Sequence, residues 1–546
     1  MSPLSPRNDG PAAEGTGDSL VGALWPPRAP EKMVTIPGRD GSRDERTHAA
    51  LLEEAAAWAA ALVERGVSRG VPVGLVTGTD FDFIVACLAI WRAGGVVVPL
   101  PGPSRKSSKE TWAATTSARL AAAKVEYFVG DPEQLPADVD DVSCHPPRTI
   151  SRAASSGPLP EVDPEDLGLI QFTSGSTAAP KGIVFRHRTL VARLDRTDDL
   201  PNQHHLRLTP LHTGGVAGSL ARPLAYGWDL TLIPPGTFLR SPSLWLREVS
   251  ERHVTHSAAP NYAFALATRE ISAGRRSFDL SGWEVVICGA GEGADLRIAE
   301  EFARVASEVG FRPESLSTHY ASTEAGRVTA RAPGTGLRVV SADRSAFGEG
   351  RVVDKVGSDL RLVSSGTPYP GIEIRIDDGS ERAGERCIGE ILVRSSDLLD
   401  GYVGDPGGLE KVITDGWFRT GDLGFMAEGE LFLTGRAKDI IIVHGQNFHA
   451  SDVEAAAARA GLTGRCAAFS IRAGGSEAVA LAVEGEGTDA SDISRRVATQ
   501  VWRTLGITVT DVVVVPPGTL PVTDSGKLKR AEIKRAFEAG ELTSTV

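Results

Sequence analysis

The segment from Val71 to Leu100 limits the possible folds more than any other part of the chain. VPVGLVTG is an apolar run of strand length, DFDFIVACLAIWRAGG is an apolar helix closed by glycines, and VVVPL is a second strand. Two strands joined by a helix lie parallel in one sheet, because the crossover returns the chain to the edge it left. Just upstream, THAALLEEAAAWAAALVERGV sets Leu51, Leu52, Ala55, Trp58 and Leu62 on one helical face. The same texture recurs in VEYFVGD, LGLIQFTSGS, LTLIPPG, VTHSAAP and WEVVICGAG, each an apolar strand ahead of a small-residue loop. An α/β fold with doubly wound sheets is expected, and ligands of such folds collect at the carboxyl-end loops.

With 546 residues the chain exceeds what one core can bury, so several domains are expected. From about Leu362, GIEIRIDD, GEILVRS and GELFLTGR alternate as short antiparallel strands do. After Gly435, DIIIVHG, an Ala-rich helix, CAAFSIR, EAVALAVEG and VVVVPPG read as a small α+β unit. The expected division is a disordered tail over 1–40, a large domain over 41–435 with a β subdomain from about 362, and a mobile lid over 436–546. Within the lid, SDVE reads as a capping box with Ser451 as N-cap and Glu454 three positions on.

Composition excludes several classes. A net charge of -12 argues against nucleic acid as a partner, since phosphate neutralisation needs a basic face. No run of 18 apolar residues is present to span a membrane. The first residues, MSPLSPRNDGPAAEGTG, lack the apolar stretch of a signal peptide. The five cysteines, Cys87, Cys144, Cys288, Cys387 and Cys466, are scattered without metal-ligand spacing and read as reduced thiols, so a cytoplasmic location is expected.

The chemistry is concentrated first in QFTSGSTAAPKGIVFRH. Thr173, Ser174, Gly175, Ser176 and Thr177 offer hydroxyls and close backbone N–H groups after a strand, and Lys181 adds a cation. Polyphosphate needs such a cradle. The Walker pattern fails here, because Pro180 stands where glycine is required and Gly182 follows Lys181 in place of a hydroxyl.

TSGSTAAPKG resembles the phosphate loop of the adenylate-forming superfamily: acyl-CoA synthetases, nonribosomal adenylation domains and luciferases. HYASTEAG is similar to its aromatic-Gly-x-Thr-Glu motif, with Ala321 in the glycine's place. WFRTGDLG, LTGRAKDIIIVHGQN and LPVTDSGKLKR resemble its Thr-Gly-Asp, hinge and catalytic-lysine segments. The five occur in the family's order over roughly Thr47 to Phe537. THSAAPNYAFALATRE, the stretch from Leu337 to Gly366 and GQNFHASDVE further resemble fatty acyl-AMP ligases, whereas LHTGGVAG is closer to the acyl-CoA ligase loop.

The resemblance implies attack of a carboxylate on the α-phosphorus of ATP, assisted by Mg²⁺. Lys527 would bridge the two anions, Glu324 would ligate the metal, Thr323 would donate to the α-phosphate, and His212 would gate the carboxylate pocket. Tyr320 would stack on adenine, with Gly289, Ala290 and Gly291 at its other side, and Asp422 and Arg436 would hold the ribose. Lys438 would mark the lid's hinge. The acid pocket would be lined by Thr213 to Gly218, Ser257 to Tyr262 and the residues before Tyr320. The implied acceptor is a carrier-protein phosphopantetheine thiol. CoA as acceptor, an unusual substrate such as nitrite, and a non-catalytic nucleotide-binding regulator are the alternatives.

Overall fold

The computed structural model describes residues 18–103, 109–139, 141–152, 157–172, 181–194, 203–208, 210–274, 278–290, 293–379, 384–443, 446–462, 464–473, 476–485, 490–522 and 528–542. The expected strand–helix–strand unit is present: Pro72–Thr77 pairs in parallel with Val96–Pro101, and helix Phe81–Arg92 joins them. That helix is buried almost all round, which explains its apolar sequence. Asp80 caps its first turn, accepting from the Phe83 amide at 2.9 Å. Trp91 closes the other end by donating its indole N–H to the Gly168 carbonyl at 2.7 Å.

This unit belongs to a sheet ordered Gly401–Tyr402, Gly182–Arg186, Leu167–Phe172, Val96–Pro101, Pro72–Thr77, Tyr127–Val129, Ser143–His145. A second sheet runs Leu316–Ser317, Val285–Cys288, His256–Ala259, His204–Arg207, Asp229–Leu232, Met33–Pro37, Arg43–Thr47. All its neighbours are parallel except the final pair. The antiparallel region follows, with Glu373–Asp377, Gly389–Arg394, Trp417–Ala427 and Glu430–Arg436 side by side. Beyond it, hairpin Cys466–Ala473 and Ser476–Glu484 carries helices Ala450–Ala458 and Ala490–Leu505 on its own apolar cluster.

Two sequence expectations need correction. The disordered tail cannot extend to residue 40: Leu20–Leu24 is a helix, and Met33–Pro37 is a strand of the second sheet. Leu20, Leu24 and Val34 are fully buried, and contact with the sheet stabilises a segment whose local composition alone would not order it. The capping box does not form either. The helix starts at Ala450 after His449, and Glu454 faces inward to Arg530, a stronger partner than a helix-end amide.

The stretch resembling a ligase insertion packs on the C-terminal unit. Asp359 accepts from Arg344 at 2.9 Å and from Arg459 at 3.1 Å, and the rings of Phe347 and His449 lie 5.6 Å apart. Asp452 sits within the field of Arg344, Glu454 and Asp359, and burial lifts its carboxyl to about 6. The folded state therefore favours the protonated form, a contribution lost as pH rises from the free value of 3.8 through about 6. Asp452→Asn is expected to melt above the parent protein at pH 8, with the gap narrowing at pH 5. A gap that widens on acidification would contradict the burial argument.

Candidate active site

The carboxyl edge of the parallel sheet meets the antiparallel region at Tyr320. The pairing of Ile287 with Ser317 places Gly289 and Tyr320 just beyond the ends of adjacent strands. The Tyr320 phenol is buried and donates to Asp422 Oδ2 at 2.7 Å. Burial, reinforced by the Asp422 charge, pushes that phenol well above its ordinary range, so it stays a donor. Asp422 Oδ1 forms an ion pair with Arg436 Nε at 2.9 Å across paired strands. Gly421 has φ +70, a left-handed bend that favours glycine. Around the bend, the Asp422 amide donates to Thr420 Oγ1 at 3.0 Å, and Thr420 donates to the Ile391 carbonyl at 2.7 Å. An aromatic face, a buried carboxylate and a half-exposed guanidinium thus share one edge.

Thr323 and Glu324 occupy the turn after Tyr320. Arg193, which the motifs do not single out, braces it by donating to the carbonyls of Thr323 at 2.9 Å, Glu324 at 2.7 Å and Asp397 at 3.0 Å. Its guanidinium lies 4.2 Å over the Phe185 ring. Burial raises the Glu324 carboxyl above its ordinary value, and Arg436 and Arg193 oppose that rise. Among the described residues no cation forms an ion pair with it. A hard, half-buried oxygen donor lacking a cationic partner suits a cation that keeps most of its other ligands as water or phosphate.

Lys181 Nζ lies 5.9 Å over the Tyr402 ring. Burial, then the charge of Glu324, pushes the Tyr402 phenol up to about 12. Tyr402 thus sits by the lysine of the phosphate-loop motif and within the field of Glu324, which sequence spacing does not reveal. On the opposite side, Gly289 has φ +71, and a Cβ there would lie 2.3 Å from the Gly293 carbonyl carbon. Ala290 donates its amide to the Ala259 carbonyl at 3.1 Å, and Asn261 donates to the Gly293 carbonyl at 2.9 Å. The loop is therefore closed on itself, with no room for a side chain at Gly289.

His212 lies at the start of a wide π-type helix, Leu211–Ala221, and its carbonyl accepts from the Gln171 side chain. That contact ties the His212 backbone to strand Leu167–Phe172, which leads to the hydroxyl-rich loop. Thr173, Ser174, Gly175, Ser176, Thr177, Gly291 and Lys527 lie outside the described residues. The flanks of the Lys527 segment are fixed: Val522 bridges to Leu528, and the Lys529 amide donates to the Pro521 carbonyl at 3.0 Å. Arg530 anchors the following helix, binding Glu454 at 2.8 and 2.7 Å and Asp439 at 3.2 Å. One expected pocket residue turns away. Ser257 is buried and accepts the Trp283 indole N–H at 3.1 Å, leaving Ala258 on the open face.

Comparison with known proteins fits this geometry. The profile described as AMP-binding enzyme matches residues 25–403. A Caulobacter vibrioides protein named as an acyl-CoA synthetase is 30% identical over 523 residues, covering 90% of each chain. A Mycobacterium tuberculosis protein named fatty-acid–CoA ligase fadD25 is 29% identical over 92% of this chain and 94% of its own. A structure from work on fatty acyl-adenylate ligases of E. coli and L. pneumophila superposes with TM-score 0.88 at 26% identity, covering 96% of this chain and 98% of the other. Among the described residues, no helix is long and apolar enough to cross a membrane, and no cluster of three His, Cys, Asp or Glu residues could hold a metal.

Arg193 and Arg436 separate structural from exposed roles. Arg193→Met is expected to lower unfolding free energy by about 2–4 kcal/mol in urea titrations, since three carbonyls lose a charged donor. Arg436→Ala is expected to cost less than about 1 kcal/mol, as a half-exposed pair contributes little. Equal losses would contradict the bracing role.

Proposed function

Because the chain belongs to the AMP-binding enzyme family and is an adenylate-forming ligase, we propose that it activates a carboxylic acid as acyl-AMP and passes the acyl group to a carrier-protein thiol. The observation that carries this reading is the Tyr320–Asp422–Arg436 junction beside the Thr323–Glu324 turn. Asp422 offers an acceptor-only carboxylate to two vicinal ribose hydroxyls, and its ties to Tyr320 and Arg436 fix its direction. The Tyr320 ring and the Gly289–Ala290 backbone would flank the purine.

In the first half-reaction a carboxylate oxygen of the acid bonds to the α-phosphorus of ATP. The bond from that phosphorus to the bridging oxygen breaks, and pyrophosphate leaves with the electron pair. Both reactants are anions, so the site's work is to hold them close and offset their repulsion. We assign that task to Lys527, with Lys181 and the hydroxyls of Thr173, Ser174, Ser176 and Thr177 around the phosphates. Thr323 would donate to the α-phosphate and His212 would border the acid. Glu324 would hold Mg²⁺, which when bound offsets charge on the phosphates. In the second half-reaction the acceptor sulfur bonds to the acyl carbon, the thiol proton is released, and AMP departs.

The lid is proposed to turn about Lys438, bringing Lys527 in for the first step and withdrawing it for the second. The stretch from Leu337 to Gly366, which resembles the fatty acyl-AMP ligase insertion and meets the lid through Asp359 and Arg459, supports a carrier-protein acceptor over CoA.

ATP–pyrophosphate exchange across a panel of carboxylic acids, with nitrite included, tests the first half-reaction. Exchange is expected with at least one acid and is expected to fall at least a hundredfold in Lys527→Ala. Exchange with nitrite alone, or none in a folded protein that still binds ATP, would overturn the proposed substrate class.

A further inference from the structure

Arg193 joins two parts of the candidate site that lie far apart in sequence. It stands in the last turn of helix His187–Leu194, which follows strand Gly182–Arg186 without a break. That strand begins directly after Lys181, the cation of the phosphate-loop motif. The same strand pairs with Gly401–Tyr402, placing Val184 opposite Gly401 and Ile183 opposite Tyr402. On either side of the pair, the Asp400 amide donates to the Val184 carbonyl at 3.0 Å and the Val403 amide to the Gly182 carbonyl at 2.8 Å. The Asp400 carboxylate accepts from the Arg186 amide at 2.7 Å and from Arg188 Nη2 at 2.8 Å. Strand, helix and the segment 397–403 are thereby bound into one body.

The Thr323–Glu324 turn hangs from this body by its backbone. The Leu399 amide donates to the Glu324 carbonyl at 2.9 Å. Arg193 donates to the same carbonyl at 2.7 Å, to the Thr323 carbonyl at 2.9 Å and to the Asp397 carbonyl at 3.0 Å. Its guanidinium lies 4.2 Å over the ring of Phe185, a residue of the strand that leads from Lys181. A guanidinium can serve three acceptors at once because its N–H groups are held in a planar fork. All three bonds end on carbonyl oxygens. They fix the backbone that carries the Glu324 carboxylate without using either carboxylate oxygen.

Mg²⁺ demands near-ideal octahedral geometry, so a carboxylate that shifts relative to the phosphates loses much of its hold on the ion. We propose that Arg193 is a positioning residue: it holds the Glu324 turn at a fixed offset from the phosphate-loop strand, so that Mg²⁺ and the phosphates of ATP are bound as one unit. This rests on the ligase function proposed above, in which Glu324 holds Mg²⁺. It goes further by making the metal's contribution to nucleotide binding depend on a side chain that acts through backbone carbonyls. Without Arg193 the turn keeps only its Leu399 tie to this body, and three carbonyls lose a charged donor.

The test is calorimetric titration of ATP into the whole chain, once with saturating Mg²⁺ and once in EDTA. The ratio of the two dissociation constants measures what the metal adds, and a general loss of binding cancels from it. Each variant is titrated well below its own melting temperature, so that lower stability alone does not enter. The parent ratio is expected to be at least tenfold, and Glu324→Gln is expected to shrink it at least fivefold. Arg193→Met is expected to shrink it at least threefold, and Arg193→Lys, which keeps the charge but not the fork, to restore part of the loss. In the double variant, Arg193→Met is expected to add less than twofold to the effect of Glu324→Gln, because it acts through that carboxylate. A parent-like ratio in Arg193→Met, or full additivity in the double variant, would overturn the positioning role and leave the ligase reading standing. A parent-like ratio in Glu324→Gln would remove the metal from Glu324 and the proposal with it, while ATP–pyrophosphate exchange with Lys527→Ala reports on the ligase reading separately.

Discussion

The hydrogen bond from Tyr320 to Asp422 joins the two halves of the large region. Tyr320 leaves the parallel sheet, and Asp422 sits on the antiparallel sheet beyond a glycine bend. Because both groups are buried, the bond acts in a medium of low effective dielectric, where a misdirected carboxylate would be costly. Arg436, at the end of the last strand before the C-terminal unit, reads the orientation of the same carboxylate. A single acidic side chain is thereby held by a buried phenol and a guanidinium from separate strands.

Around this junction the fold separates rigid from adjustable parts. The Thr323–Glu324 turn is clamped by Arg193, and the Gly289 loop is closed against Gly293 so tightly that no side chain fits. By contrast, the chain after Arg436 forms its own apolar clusters, connected to the rest partly through Asp359, Arg459 and the ring contact of Phe347 with His449. Polar and charged contacts of that kind can be exchanged for water at small cost, unlike a shared core. The two-pose cycle proposed above would need such an arrangement, with one part fixed and the other separable.

Much of this was legible in the sequence. The strand–helix–strand segment from Val71 to Leu100 dictated its own parallel pairing, and the alternation in GIEIRIDD and GEILVRS announced the antiparallel sheet. Motifs located Tyr320, Glu324, Asp422 and Arg436 because each lies within a short local pattern. What local pattern does not encode is the partner across the fold. Glu454 looked like a helix cap because Ser451 stands three residues before it, yet Arg530 claims it. Leu20 to Pro37 falls within the expected disordered tail, yet Met33–Pro37 is taken up as a strand between Asp229–Leu232 and Arg43–Thr47. Arg193 and Tyr402 acquire their places only when strands from distant segments meet. A basic group on the second sheet is the extreme case, since the sheet register alone brings His205 and Arg207 beside His256 and Ala258.

The central claim is that Asp422, oriented by Tyr320 and Arg436, holds the ribose of ATP. Calorimetric titration of ATP into the parent protein and into Asp422→Asn measures this directly, because the substitution keeps the shape and removes the second acceptor oxygen. The account predicts at least a tenfold weaker affinity for Asp422→Asn in a protein that melts within a few degrees of the parent. Equal affinity in a folded Asp422→Asn protein would contradict it.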